Sequence, residues 1–273
     1  YKRQMVAMRH GEGIARPKGG TGSLTDALVK LVQAQGGKIL TDQTVKRVLV
    51  ENNQAIGVEV ASGEQYRAKK GVISNIDARR LFLQLVEPGA LAKVDQNLGE
   101  RLERRTVNNN EAILKIDCAV SGLPHFTAMV GAEDLTGTIL IADSVRHVEE
   151  AHALIALGQI PDANPSLYLD IPTVLDPTMA PPGKHTLWIE FFAPYRIAGL
   201  EGTGLMGTGW TNELKEKVAD RVIDKLTDYA PNLKSLIIGR RVESPAELAQ
   251  RLGSYNGNVY HLDMSLDQMM FLR

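Results

Sequence analysis

The sequence predicts an α+β protein, in which helices and short strands follow one another without the regular βαβ order of a doubly wound parallel sheet. Two observations predict this class. Between residues 19 and 77, a glycine-led helix is followed by several short strands that are joined by turn residues. Between residues 78 and 245, helical and alternating apolar patterns interleave with no repeating unit.

The predicted helix follows the flexible sequence Gly19-Gly20-Thr21-Gly22, where Thr21 or Ser23 can cap its N-terminus. Gly36-Gly37 ends the helix, because glycine readily adopts the positive φ of a helix C-terminus. The apolar residues between these glycines fall on one helix face, and they are Leu24, Ala27, Leu28, Leu31 and Val32.

The segment after this helix reads as a β-meander, because short apolar stretches alternate with turns at Asn52-Asn53 and Ser62-Gly63. Its predicted strands cover residues 38–40, 45–50, 56–60, 66–68 and 72–73. Beyond it, helices are predicted near residues 78–87, 95–105, 143–158 and 211–229. Further strands are predicted near residues 111–120, 137–142, 166–171, 185–193 and 235–243.

Composition excludes several classes of function. The formal net charge of −1 argues against a nucleic-acid partner, which requires a basic surface. The single cysteine, Cys118, rules out an internal disulfide and a cysteine-rich metal site, and its place in an alternating apolar run predicts a small buried residue. No apolar stretch reaches the roughly 20 residues that span a bilayer. Since the first residue is Tyr1, we expect the chain to begin within a longer protein.

Two patterns suggest chemistry that their surroundings do not support. Gly202–Gly207 matches G-x-G-x-x-G, but a dinucleotide fingerprint needs these glycines directly between a strand and a helix, so we interpret the segment as a mobile glycine-rich loop. The six histidines form no pair with metal-binding spacing, so surface or structural roles are expected and no metal is predicted.

Gly19-Gly20-Thr21-Gly22-Ser23-Leu24, with Arg16-Pro17-Lys18 before it, resembles the G-G-x-G-x-L signature of phytoene desaturase-like flavoproteins. The resemblance continues through Gly36–Thr41 and Tyr255–His261, and it covers nearly all of the chain. Met5–His10 and Gly13–Lys18 are most similar to the desaturase-like β-carotene ketolases of cyanobacteria.

This resemblance implies an FAD enzyme that oxidises a ring carbon of β-carotene to a ketone, giving echinenone. It implies a partial FAD-binding domain of the glutathione-reductase or amine-oxidase type at residues 18–77, and a substrate-binding domain with a mixed sheet and helices at residues 1–17 and 78–245. Residues 246–273 would return toward the FAD domain. Val45 is the expected cofactor-binding residue, because its strand passes beside the adenine in the family.

A carotenoid carries no charge, so its site should be a long apolar tunnel. The candidate substrate-binding residues are Phe126, Met129, Phe191, Phe192, Tyr195 and Trp210. The catalytic residues cannot be assigned, since the flavin supplies the redox chemistry and no acid–base pair stands out. The loop from Ala198 to Trp210 is a candidate tunnel entrance or membrane-touching element, and a cytoplasmic-side, peripherally membrane-associated protein is expected.

The chain departs from the family pattern because the N-terminal G-x-G-x-x-G and the C-terminal glycine-rich segment are both missing from this sequence. We therefore expect the chain alone to bind FAD weakly or not at all and to lack ketolase activity. Two alternatives stay open: a carotenoid desaturase or isomerase of the same superfamily, and a noncatalytic polyene-binding module.

Overall fold

The computed structural model describes residues 16–105, 110–128 and 131–258. These residues divide into two compact units. One unit contains residues 16–27 and 110–258, and the other contains residues 28–105. The predicted domain boundaries at residues 77 and 245 stay a prediction.

Helix α1, Thr21–Ala34, confirms the glycine-led helix. It begins at Thr21, so neither Thr21 nor Ser23 is its N-cap; instead, the Ser23 hydroxyl lies within hydrogen-bond distance of the carbonyl oxygens of Lys18 (2.9 Å) and Gly20 (2.7 Å). Gly36 has a φ of +79°, and the Gly37 N–H donates to the Val32 carbonyl at 2.9 Å. None of the residues of α1 is buried.

The unit of residues 28–105 contains a three-stranded antiparallel sheet in the order β1-β2-β3, which confirms the meander. Its strands are β1 (Val45–Glu51), β2 (Gln54–Val60) and β3 (Gln65–Arg67). Asn52 and Asn53 both have positive φ, which is the conformation of a tight hairpin turn. The partly exposed guanidinium of Arg47 donates to the buried carboxylate of Glu59 at 2.8 Å, and this bond lowers the pKa of Glu59.

The strands predicted at residues 38–40 and 72–73 are wrong. Both segments lack regular structure, and Ile73 is completely exposed. A run of two or three apolar residues becomes a strand only when a neighbouring strand takes its hydrogen bonds, and no described strand pairs with either segment.

Three short helices complete this unit. They are α2 (Ala78–Arg80), which continues into a π-helical turn at Leu81–Leu85, α3 (Pro88–Ala92) and α4 (Leu98–Arg105). Asp77 caps α2 by accepting a hydrogen bond from the Arg80 N–H at 2.7 Å.

The other unit contains a five-stranded sheet in the order β5-β6-β7-β4-β8. Every neighbouring pair in it is antiparallel, so these strands do not form the mixed sheet that was predicted, although the α+β class agrees. The two long central strands pair over ten residues, from Glu111 opposite Pro194 to Val120 opposite His185. The strands are β4 (Glu111–Val120), β5 (Ile139–Ile141), β6 (Leu167–Asp170), β7 (His185–Pro194) and β8 (Ile237–Glu243).

One face of this sheet forms the main core of the unit together with the helices that pack on it. Leu114, Ile116 and Cys118 lie opposite Phe191, Ile189 and Leu187, so these six side chains share that face. Cys118 is buried as predicted, and burial raises the pKa of its thiol to about 11. The helices of the unit are α5 (Val145–Ala156), α6 (Asn212–Leu226), α7 (Leu233–Leu236) and α8 (Pro245–Leu252).

Helix α6 contributes five buried residues to the unit: Val218, Ala219, Val222, Ile223 and Leu226. Full burial of one of the larger aliphatic side chains, such as Val, Ile or Leu, stabilises a fold by about 1.5–3 kcal/mol. No helix in the described ranges is long and apolar enough to cross a membrane.

Candidate functional site

The second face of the five-stranded sheet differs from the core face because it carries charged and aromatic side chains that are only partly buried, beside the buried Ile113, Asp170 and Glu243. The strand register places Lys115 opposite Glu190, and Glu190 opposite Tyr168. Asp117 lies opposite Trp188 in the next row of the same face. We call this surface the half-buried face, and its partly buried residues include Lys115, Asp117, Tyr168, Trp188, Glu190 and Phe192.

Aromatic rings form a continuous row at one end of the half-buried face. The rings of Tyr168 and Phe192 meet edge to face, with 5.6 Å between their centroids. The His152 ring, from α5, lies 5.4 Å from the Phe192 ring and is tilted against it. Such a row provides a flat, polarisable surface for an unsaturated ligand.

The His152 ring is oriented by a carboxylate. Its Nδ1 lies 2.8 Å from Oε2 of Glu111, the first residue of β4. This hydrogen bond raises the pKa of His152 above its ordinary value, although partial burial opposes the effect. The His152 side chain is 38% exposed, so solutes can reach the ring.

The charges on the half-buried face leave one carboxyl group unpaired. The Lys115 ammonium contacts both carboxylate oxygens of Asp117, at 2.5 and 2.7 Å, and it lies 5.9 Å from the Trp188 ring centroid. Glu190, directly opposite Lys115, therefore receives no hydrogen bond from the described residues. Burial raises the pKa of Glu190, and the positive charge of Lys115 only partly opposes this.

Two buried carboxylates hold the glycine-rich signature segment in this unit. The Arg16 guanidinium forms an ion pair with Asp170, at the end of β6. The Gly19 N–H donates to Oδ2 of Asp176 at 2.5 Å. Gly19 has a φ of +82°, a conformation that favours glycine. Hydrogen bonds from Thr178 and then from Gly19 lower the pKa of Asp176.

Sequence reasoning missed both aspartates. Asp170 and Asp176 flank Pro172 in a segment that reads as an exposed proline-rich loop, and their partners lie 154 and 157 residues away in the chain. A buried carboxylate needs a partner, so the only sequence signal was an aspartate that directly ends an apolar strand.

The glycine-rich loop lies apart from any strand-to-helix junction. Strand β7 ends at Pro194 and α6 begins at Asn212, so Gly202–Gly207 does not have the position that a dinucleotide fingerprint requires. Backbone hydrogen bonds close the loop on itself, including those from Gly202 to Gly207 (3.0 Å) and from Gly209 to Thr203 (2.8 Å). Apolar side chains are exposed along it: Leu200, Leu205 and Met206.

The structure separates the predicted substrate-binding residues. Phe126, Phe191 and Trp210 are buried in the main core, and Tyr195 is buried in a small cluster with Ala112 and Ala249. Phe192 is the member of the predicted set that lies on the half-buried face. Met129 lies outside the described residues. The contact of all six residues with a substrate stays a prediction.

Trp210 combines a core position with contact to a cavity. Its Nε1–H donates to the Pro194 carbonyl at 2.9 Å. The cavity beside it has a volume of about 500 Å³ and is also lined by Gly204, Leu205 and Lys215. Lys215 is paired with Glu247 at 2.5 Å, so the cavity offers little free charge.

Val45, the predicted cofactor residue, begins β1 and is partly buried. Strand β1 is the outer strand of its sheet, so among the described strands it has a partner on one side only. The role of Val45 in binding a cofactor stays a prediction. A cavity of about 520 Å³ lies along β1, and Arg47 and Arg67 are among its lining residues.

Comparison with known proteins relates the chain to flavin enzymes. Residues 1–129 match the sequence model of the flavin containing amine oxidoreductases. The rat pyridine nucleotide-disulfide oxidoreductase domain-containing protein 2 is 32% identical over 94% of this chain and 43% of the rat protein.

Two carotenoid enzymes are also similar to the chain. The lycopene-forming phytoene desaturase of Pseudescherichia vulneris is 27% identical over 98% of this chain and 50% of the enzyme. The chloroplastic prolycopene isomerase of Daucus carota is 29% identical over 90% of this chain and 36% of the enzyme. The chain thus spans half or less of the length of these relatives.

A solved oxidoreductase from Methanosarcina mazei shares the fold, with a TM-score of 0.51 over 83% of this chain and 42% of that chain at 20% identity. In sequence, the chain is similar to flavin oxidoreductases of the amine-oxidase type through residues 1–129, and its helices and antiparallel sheets share the fold of that solved oxidoreductase. The predicted relation to phytoene desaturase-like flavoproteins is confirmed at this level.

Proposed function

We propose that this chain is the substrate-side part of an FAD-dependent oxidoreductase that acts on a carotenoid. The observation that carries the proposal is the similarity to a phytoene desaturase and a prolycopene isomerase over 98% and 90% of the chain. The aromatic row on the half-buried face supports it, because flat rings suit a conjugated ligand.

FAD would supply the redox chemistry, and the residues of this chain would bind and orient the substrate. The backbone of Val45 would contact the adenine from the free edge of β1. Tyr168 and Phe192 would contact the polyene, whose binding is driven by burial of apolar surface at about 25 cal/mol per Å².

Within this class, we propose the conversion of β-carotene to echinenone. The support is the resemblance of Met5–His10 and Gly13–Lys18 to desaturase-like ketolases. A second candidate is a carotenoid desaturase or isomerase, which is favoured by the activities in the names of the two similar carotenoid enzymes. A noncatalytic polyene-binding module is the third candidate.

Product analysis of the full-length protein that carries this chain tests the proposal. The protein is loaded with FAD and supplied separately with β-carotene, phytoene and prolycopene, and the products are separated and identified by mass. We expect a product with one added carbonyl from β-carotene. Desaturated or isomerised products alone would favour the second candidate. Stoichiometric carotenoid binding without flavin or turnover would favour the third.

We further propose that the protein contacts the cytoplasmic side of a membrane peripherally through the exposed apolar residues of the glycine-rich loop. Because several backbone N–H groups of the loop, including those of Gly202, Thr203 and Gly209, donate within the loop, fewer of them need water when the loop enters the lipid interface. Replacing Leu200, Leu205 and Met206 by serine should reduce flotation of the chain with liposomes. Leu252→Ser, at another exposed leucine, is the control, and equal flotation of both variants would contradict the proposal.

A further inference from the structure

One nitrogen of the His152 ring has no assigned role in the fold. Nδ1 is held by the Glu111 carboxylate at 2.8 Å, and Nε2 has no hydrogen-bond partner among the described residues. The ring packs against Phe192 on the half-buried face, and its side chain remains 38% exposed. Nε2 is therefore accessible to water or to a ligand on this face.

We propose that His152 binds the carbonyl oxygen of a conjugated ligand whose unsaturated carbons lie against Phe192 and Tyr168, with Glu111 as the positioning residue. This proposal deepens the proposed function and rests on it for the identity of the natural ligand. It adds a polar contact to a site that sequence reasoning described as wholly apolar.

His152 and Glu111 form a hydrogen-bonded pair, which we call the dyad. Its geometry determines which hydrogen bonds Nε2 of His152 can make. Since Glu111 accepts a hydrogen bond from Nδ1–H, the protonated ring carries a second N–H at Nε2, which can donate to a carbonyl oxygen. The neutral ring with the same Nδ1–H instead has a lone pair at Nε2, which can accept from a hydroxyl group. The dyad therefore distinguishes a ketone from an alcohol according to pH.

The surrounding charges favour a neutral ligand over an anion. Glu111 compensates the charge of the protonated His152 ring. Glu190, two residues before Phe192 on β7, adds a carboxyl group to the same face. The Lys115 ammonium of β4 forms hydrogen bonds with Asp117. No uncompensated cation of the described half-buried face is thus available for a carboxylate or phosphate.

The aromatic row favours ligands with a planar, conjugated chain. Tyr168 and Phe192 meet edge to face, and His152 continues the row. A planar, conjugated group can contact these rings over its whole length, whereas a flexible saturated chain would lose more conformational freedom for the same contact.

Binding of β-ionone to the purified chain tests the proposal, because this small molecule combines a conjugated chain with a ketone. NMR of the His152 ring and titration calorimetry are the measurements. We expect His152→Phe, which keeps a ring against Phe192, to weaken β-ionone binding roughly three- to ten-fold, the loss of one hydrogen bond. The analogue without oxygen should bind both proteins equally. His125→Phe, at an exposed histidine, is the matched control.

The pH dependence gives a readout that a packing role would not produce. Because Glu111 raises the pKa of His152, β-ionone affinity should persist above the pH at which an ordinary histidine titrates, and then fall as pH rises through the folded-state pKa. The affinity of the corresponding alcohol, β-ionol, should not fall. In Glu111→Gln, the loss of ketone binding should move to lower pH.

Equal binding of β-ionone by the wild-type chain and by His152→Phe would overturn the proposal. So would an unshifted His152 ring signal on saturation of the wild-type chain, a result that needs no variant to fold. These measurements require neither FAD nor turnover. A negative product analysis with intact β-ionone binding would therefore reject the proposed function alone, and the reverse pair of results would reject the ligand site alone.

Discussion

The two faces of the five-stranded sheet differ in burial and in residue type, although they are formed by neighbouring residues of the same strands. On one face, Leu114 and Phe191 lie opposite each other in a closed core. On the other, Lys115 and Glu190 lie opposite each other and remain partly exposed. The core face uses apolar volume to stabilise the unit, whereas the half-buried face holds charged and aromatic groups that the core does not need.

Phe191 and Phe192 provide the most direct test of this difference. Phe191→Ala should lower the free energy of unfolding by about 3–5 kcal/mol, because it leaves a cavity in the closed core. Phe192→Ala should cost clearly less, since a partly exposed ring loses less burial. Urea unfolding followed by tryptophan fluorescence measures this unit specifically, because Trp188 and Trp210 both lie in it.

Equal losses for the two alanine variants would contradict the comparison. They would mean that Phe192 is enclosed as fully as Phe191, and that the half-buried face is a second core. The aromatic row would then be a packing feature, and the support that it gives to a ligand site would disappear.

The glycine-rich signature segment, which contains Arg16 and Gly19, is held at one end of the half-buried face. Asp170 lies opposite Trp188, and it is buried because Arg16 pairs with it; Asp176 holds Gly19 nearby. Asp176→Ala should therefore lower the free energy of unfolding, because the Gly19 N–H and the Thr178 donors lose the oxygens that accept their hydrogen bonds. Hydrogen exchange at the Gly19 amide should accelerate in the same variant.

Asp176→Asn keeps an oxygen that can accept these bonds, so it should cost less than Asp176→Ala. Glu213→Ala removes a carboxylate from an exposed helical pair with Lys217 and should leave the free energy of unfolding nearly unchanged. If Asp176→Ala behaves like Glu213→Ala, the glycine-rich segment is not held by this carboxylate.

Much of the fold was predictable because local pattern and tertiary pairing agree. Residues 111–120 alternate apolar and polar side chains, and β4 occupies those residues. Residues 38–40 and 72–73 are apolar too, but no described strand pairs with them. Strand formation depends on that partner, which a short local pattern does not reveal.

The site was less predictable for the same reason. Alternation shows that Phe191 and Phe192 point to opposite faces, but it does not show which face the helices cover. The partner of His152, Glu111, lies 41 residues away, so a search for histidine spacing within one helix missed the dyad. Contacts between distant residues define this site, and sequence patterns record mainly local ones.

The smallest expected effect concerns Glu190, the unpaired carboxyl group of the half-buried face. Burial raises its pKa above the ordinary value of 4.5, so the folded state binds this proton more tightly than the unfolded state does. Wild-type stability should therefore decrease as pH rises from about 4.5 through the folded-state pKa. Glu190→Gln should match the wild type below this window and exceed it slightly above, in urea unfolding at both ends.

Glu150→Gln, at an exposed carboxylate that pairs with Arg146, is the matched control and should show no such dependence. A Glu190→Gln variant that is less stable than the wild type at neutral pH would mean that the Glu190 carboxylate has a cationic partner. Lys115 lies directly opposite Glu190 on β4 and is the candidate for that partner. The half-buried face would then have no unpaired carboxyl group at this position. A stabilised variant would instead mean that the fold retains an ionisable group at a cost to its own stability. Such a cost is expected of a surface that binds a ligand, and it is what separates this face from the core face one residue away.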